Sequence, residues 1–189
     1  METQTIILIS IAVAVLIVTG IVAWFAIRSR RSQKLRQKFG PEYDYTMEKV
    51  GDRRTAEESL LEREKRVNQL AIRALDPYEW DQYQTRWVEI QADFVDKPSE
   101  SVEKANQLIK EVMATRGFPV ADFEQRVADI SVLYPDFVSN YRNAHAIAVR
   151  SQRNEVSTED LRQAMVYYHS LFDELLGTKE TKEKEVIVS

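Results

Sequence analysis

The sequence predicts an all-α protein: a single N-terminal transmembrane helix followed by a compact bundle of about six amphipathic helices. Three observations predict it. Glycine and proline are sparse, at five each in 189 residues, while charged residues make up 30%, a balance that favours long helices over a turn-rich β architecture. The uncharged stretch TIILISIAVAVLIVTGIVAWFAI, Thr5 to Ile27, lies near the start of the chain. Beyond residue 52, apolar residues recur at spacings of three and four almost to the end.

Residues 1–4 form a short N-terminus and residues 5–27 the membrane helix. At about 1.5 Å per residue the stretch makes a helix on the order of 35 Å long, enough to cross a roughly 30 Å hydrocarbon core. A cleaved signal peptide needs a basic start, a shorter apolar run and a small-x-small site. This sequence instead starts Met-Glu-Thr-Gln, and its apolar run ends in Trp24 and Phe25, so the stretch reads as an uncleaved anchor. Trp24 and Phe25 fall where an aromatic belt meets the headgroups. Arg28, Arg30, Arg31, Lys34, Arg36 and Lys38 follow with no acid among them. By the positive-inside rule, everything after Arg28 is cytoplasmic and the N-terminus faces outward. The same six residues act as a headgroup-level anchor, and recruitment of anionic lipid headgroups is the sharper role, worth about 1 kcal/mol per basic residue near the surface.

Residues 28–52 read as a basic juxtamembrane segment and an FGPEY elbow. Gly40 ends a helix running through the basic residues, and Pro41 prevents an immediate restart. Phe39, Tyr43 and Tyr45 then offer apolar surface, either for packing onto the bundle or for docking a protein partner.

The helical domain covers residues 53–177. Its first helix, Arg53 to Leu75, carries Leu60, Val67, Leu70, Ala71 and Ala74 on one side and alternating charge on the other. Asp76-Pro77-Tyr78-Glu79 starts the second with an N-cap, a first-turn proline and a reciprocal carboxylate. Tyr83, Trp87, Ile90 and Phe94 form its stripe, and it ends before Pro98. The third, Ser99 to Gly117, buries Val102, Ala105, Leu108, Ile109, Val112 and Met113. A shorter helix after Pro119 carries Val120, Phe123, Val127 and Ile130. Pro135 starts the fifth, with Phe137, Val138, Tyr141, Ala144, Ile147 and Ala148. Ser157 and Asp160 cap the last, whose stripe runs from Leu161 to Leu176 before Gly177. The tail 178–189 alternates charge, lacks a core-building run and reads as disordered.

Composition narrows the function. With no cysteine, disulfides, thiolate metal sites and cysteine nucleophiles are excluded. Beyond Lys38 the chain carries twenty bases against twenty-nine acids, and an acidic body is a poor wrapper of nucleic acid. No glycine-rich phosphate loop and no Gly-x-Ser-x-Gly turn is present, so no catalytic residue and no cofactor are assigned. The acidic pairs Glu57–Glu58, Glu62–Glu64, Glu159–Asp160 and Asp173–Glu174 lack the Glu-x-x-His pattern of bundle metal sites and read as solvated helix faces, leaving no metal site.

Two candidate surfaces remain. Among the clustered aromatics Tyr78, Trp80, Tyr83 and Trp87, spacing favours core packing, and Trp80 is the one left over for a partner. A cavity among Trp80, Tyr83, Trp87 and Tyr141, with His145 and His169 if they point inward and meet, would make a ligand-binding or pH-sensing site. The leading expectation is a non-enzymatic adaptor or scaffold that binds an unidentified protein, with a small-ligand or pH sensor as the alternative; the oligomeric state is not encoded in any readable pattern.

The anchor, the basic run, FGPEYDYT at Phe39 to Thr46, RRTAEESLLEREKRV at Arg53 to Val67, RGFP at Arg116 to Pro119 and LRQAMVYYHSLFDELL at Leu161 to Leu176 together resemble a family of bacterial membrane-anchored proteins of unknown function. The resemblance implies a bacterial inner-membrane location and brings no activity, cofactor or catalytic residue. Its pattern commonly carries arginine where Tyr45 stands here, so no charge-based role passes to that position.

Overall fold

In a computed structural model the chain is described at residues 16, 19–20, 29–120, 122–153 and 155–177. The expected membrane helix with Trp24, Phe25 and Arg28, apart from residues 16, 19 and 20, lies outside the described residues, as does the 178–189 tail. Among the described residues no helix is long and apolar enough to cross a membrane. They form an all-α fold without strands.

Residues 29–39 are helical and are labelled α1. Then follow α2 (Pro41–Val50), α3 (Arg53–Val67), α4 (Pro77–Asp93), α5 (Pro98–Thr115), α6 (Phe123–Leu133), a 3₁₀ turn (Pro135–Phe137), α7 (Val138–Ser151) and α8 (Thr158–Leu176). The expected caps form. Asp76 and Glu79 make a reciprocal capping box at α4, as do Ser157 and Asp160 at α8; Asp52 and Asp122, which the sequence reading did not single out, also cap α3 and α6.

α8 packs against α7 and α5, and α5 against α4. The main core lies between them: Trp87 and Ile90 of α4, the whole expected stripe of α5, and Leu161, Met165, Tyr168, Leu171, Phe172, Leu175 and Leu176 of α8 are buried. A smaller cluster of Leu35, Phe39, Tyr43, Leu60, Val67 and Val132 joins α1, α2 and α3 to one side of α6. α6 is the shared wall, giving Val127 and Ile130 to the main core and Val132 to the smaller one.

Two expectations are corrected. The first helix of the body ends at Val67 rather than Leu75. Its continuation leaves the helical ladder to lie along the end of α5, where the Arg73 N–H donates to the Arg116 carbonyl at 2.9 Å and Arg116 Nε donates to the Arg73 carbonyl at 3.0 Å. Ala71 and Ala74, placed on the buried stripe, are therefore exposed. Gly117 permits the approach: its φ is +95°, and a Cβ there would stand 2.6 Å from the Ala71 carbonyl oxygen.

The second correction concerns the elbow. Pro41 does not delay the next helix but starts it, because the first helical position needs no N–H and suits the fixed φ of proline. Gly40, at φ 49° and ψ −129°, supplies the break between α1 and α2. The ordered domain consequently begins before residue 53. Ser32, Leu35 and Phe39, at helical spacing, form the buried face of α1.

Candidate functional site

α1 is two-faced because its sequence alternates small or apolar residues with cations at helical period. Leu35 and Phe39 enter the smaller core, while Arg30, Arg31, Lys34, Arg36 and Lys38 stay exposed. Two of the cations are tied to the domain: Arg36 reaches Asp44 of α2 at 3.2 Å, and Lys38 reaches Glu64 of α3 at 2.6 Å. Among the described residues Arg30, Arg31 and Lys34 are in no ion pair. They line a groove of about 570 Å³ between α1 and α3, with Leu35 and Leu61 as its apolar floor and Lys38 and Glu64 at its edge.

Beneath the elbow lies a set of buried charges. Glu42 is almost wholly inside, accepting from Arg63 at 2.8 Å and from both terminal nitrogens of Arg142 at 2.5 and 2.9 Å. Burial alone would pull the Arg142 guanidinium down, but the Glu42 carboxylate outweighs it and the group titrates higher than usual. Glu57, read from sequence as a solvated face, is buried and accepts from Ser32, Tyr43 and Arg53. Burial raises its carboxyl, yet the three donors overcome burial and hold it below the ordinary carboxylate range. Asp129 of α6 is fully buried and accepts from Arg66 at 2.6 and 3.0 Å and from Gln125. These pairs close α1, α2 and α3 onto α6 and α7. Each of the three carboxylates is paired with at least one arginine, so no buried carboxylate here lacks a counter-charge.

The aromatic candidates separate accordingly. Phe39 is fully buried and Tyr43 nearly so, and neither leaves a face for a partner. Tyr43 instead donates to Glu57 at 2.9 Å, and burial pushes its phenol up. Tyr45 is 40% exposed, with the Arg142 guanidinium 3.9 Å from its ring centre. The two flank a small cleft of about 170 Å³ together with Pro41 and Pro135. Trp80 is half-buried on the main core and donates from Nε1 to the Gly177 carbonyl at the end of α8. It serves first as a fastener for that terminus.

The proposed sensor residues have different neighbours. Trp87 and Tyr141 are fully buried. Trp87 stacks on Phe172 and His169, at 4.7 and 5.0 Å between ring centres, while His145 stacks on Phe123 at 3.7 Å. Tyr83 of α4 shares a 2.6 Å hydrogen bond with Thr115 at the end of α5. The two histidines thus have separate aromatic neighbours. His169 also lies 3.5 Å from Asp173. Burial, then the nearby Arg126 and Lys110, push His145 below its ordinary value.

Sequence reasoning missed Arg116, which it placed only at the end of the third helix, ahead of Gly117, and in the RGFP stretch. Beyond its bond to Arg73, Arg116 donates to the Tyr134 hydroxyl at 2.6 Å and to the Leu175 carbonyl at 2.8 Å, pinning the α5 end to α8. An arginine ahead of a glycine was the available signal, and it pointed only to the stop. Among the described residues no cluster of three or more histidines or carboxylates is placed to hold a metal ion.

The chain matches no family model, no curated protein and no solved structure in the comparisons made.

Proposed function

We propose that this chain is a single-pass, membrane-anchored, non-enzymatic interaction module of a bacterial inner membrane, its helical domain cytoplasmic and acting as adaptor or scaffold. The observation that carries the reading is the construction of α1. The helix that follows the apolar stretch is not a loose tether but is built into the domain through Leu35 and Phe39, so an anchor upstream would hold the domain in a fixed pose. The uncharged Thr5–Ile27 stretch and the six cations after it supply the anchor and its orientation.

The absence of cysteine makes the topology directly testable, because single-cysteine variants carry no background label. Thr3→Cys should react with a membrane-impermeant maleimide in spheroplasts, while Glu103→Cys should react only after lysis, and the chain should resist alkaline carbonate extraction. Release by carbonate, or the opposite labelling pattern, would overturn the placement. For the adaptor role, a photo-crosslinker at Tyr45 should capture one discrete protein that a crosslinker at Glu103 does not. Self-adducts alone would redirect the reading toward a pH sensor, for which half-buried His145, stacked on Phe123 and held below its ordinary value by burial and by Arg126 and Lys110, is the candidate group.

A further inference from the structure

We infer that the groove between α1 and α3 is a binding site for one anionic phospholipid, its phosphate held by Arg30, Arg31 and Lys34 and the start of its acyl chains laid on Leu35 and Leu61. The inference rests on the membrane placement proposed above and adds to it a specific ligand and its recognition residues.

Four observations converge on this hollow. Its volume, about 570 Å³, falls in the range of small-molecule sites. Its walls carry four cations and one acid, and that acid, Glu64, is already committed to Lys38 at 2.6 Å. Three positive charges therefore face the groove with no counter-ion among the described residues. Its floor is apolar: Leu35 is buried against the smaller core, and Leu61 is half-exposed on α3. A site with cations at the rim and leucines beneath matches an amphiphile better than a soluble anion, which has no use for the floor.

Position selects the source. Arg30 follows the apolar stretch by three residues, so in a membrane-anchored chain the groove opens at headgroup depth. The domain beyond Lys38 is net acidic, with twenty bases against twenty-nine acids, and a negative leaflet repels it. A lipid clamped between α1 and α3 would hold that acidic body close to the surface. A nucleic acid would need a longer basic track than the two turns of α1 that carry these cations, and the chain beyond Lys38 is net acidic.

The test uses the full chain reconstituted into nanodiscs of phosphatidylcholine with or without phosphatidylglycerol, released into detergent and read by native mass spectrometry. One phosphatidylglycerol should remain bound in preference to phosphatidylcholine. Each cation removed should weaken retention about fivefold, so Arg30→Gln with Arg31→Gln and Lys34→Gln should weaken it about a hundredfold. The control Arg150→Gln with Arg153→Gln, exposed cations at the end of α7, should leave retention unchanged. The three groove residues are exposed and unpaired, so the melting temperature should stay within a degree or two, which separates a lost ligand from a lost fold.

Equal retention of both lipids, or retention indifferent to the triple substitution, would overturn the groove while leaving the anchor intact. Failure of the chain to enter nanodiscs at all would overturn the anchor and the groove with it. Displacement of phosphatidylglycerol by millimolar inorganic phosphate would overturn the lipid assignment in favour of a soluble phosphate ligand.

Discussion

The two cores of this domain are built on opposite principles. Between α4, α5, α7 and α8 the contacts are aromatic and aliphatic, with Trp87 stacked on Phe172 and nearly every expected stripe residue buried. Between α1, α2, α3 and α6 the smaller cluster holds six buried apolar residues, and Glu42, Glu57 and Asp129 are buried beside it with their arginines. The first region gains from area removed from water, roughly 25 cal/mol per Å². The second trades part of that gain for directed pairs whose desolvation cost offsets most of their attraction. The return we propose for the second region is register, since each carboxylate accepts only where its arginine arrives.

The largest expected effect comes from the apolar core. Trp87→Ala should cost about 3 to 5 kcal/mol and lower the melting temperature by roughly 10 °C, with hydrogen-exchange protection falling in α4, α5 and α8 together. Phe39→Ala removes a side chain equally buried, but its loss should be felt first in α1, α2 and α3. If exchange in α8 rises as much with Phe39→Ala as with Trp87→Ala, the two regions are one cooperative unit and the contrast dissolves.

Next is the charge set itself. Glu42→Ala leaves Arg63 and Arg142, each only 17% exposed, without their shared acceptor and should cost about 3 kcal/mol by thermal or denaturant unfolding. Replacing all three together, Glu42→Leu with Arg63→Met and Arg142→Met, should return stability to within about 1 kcal/mol of the parent. A triple variant no better than Glu42→Ala would mean the pairs contribute net stability and not only register.

These results bear on what the sequence could reveal. The α4, α5 and α8 stripes were legible because burial there follows helical period, and their starts are marked by capping boxes at α4 and α8 and by Pro98 at the first turn of α5. α2 was not, because its buried residues are Glu42, Tyr43 and Thr46, a polar set that produces no apolar stripe. The acceptors were invisible for a different reason: Glu42 meets arginines 21 and 100 residues away, and Asp129 meets one 63 residues away, so no local window contains both partners. α6 shows the limit clearly. Of its expected stripe Phe123, Val127 and Ile130 pack on the main core while Val120 precedes the helix, and the helix is buried on a second side, where Asp129 and Ser131 meet Arg66 and Arg63 of α3. For the groove, the cations of α1 were evident as a run, whereas Leu61 and Glu64 joined them only through the packing of α3.

A smaller effect should appear with pH. His145 stands between Phe123 and the charged groups Arg126, Lys110, Glu103 and Glu124, and its folded-state value is depressed, first by burial and then by the two cations. The unfolded chain therefore binds the proton more readily, so stability is full above about pH 6.5 and falls as pH drops below it toward the lower folded value. His145→Gln should flatten that part of the stability profile while leaving the apolar core's melting behaviour at pH 8 nearly unchanged. A profile that keeps its slope below pH 6.5 in the variant would assign the dependence to the buried carboxylates of the other region.

The smallest effect divides the basic run between its two uses. Lys38 pairs with Glu64 at 2.6 Å, but both side chains are about one-third exposed, so Lys38→Gln should cost roughly 0.5 kcal/mol, and less as salt is added. Arg30, Arg31 and Lys34 make no such pair, and their removal should cost the fold nothing measurable. A run selected only for folding would show the reverse order, with every cation contributing to the melt. If the three unpaired residues are silent in unfolding yet govern which lipid the full chain retains, the helix that follows the apolar stretch holds the domain with one face and the bilayer with the other.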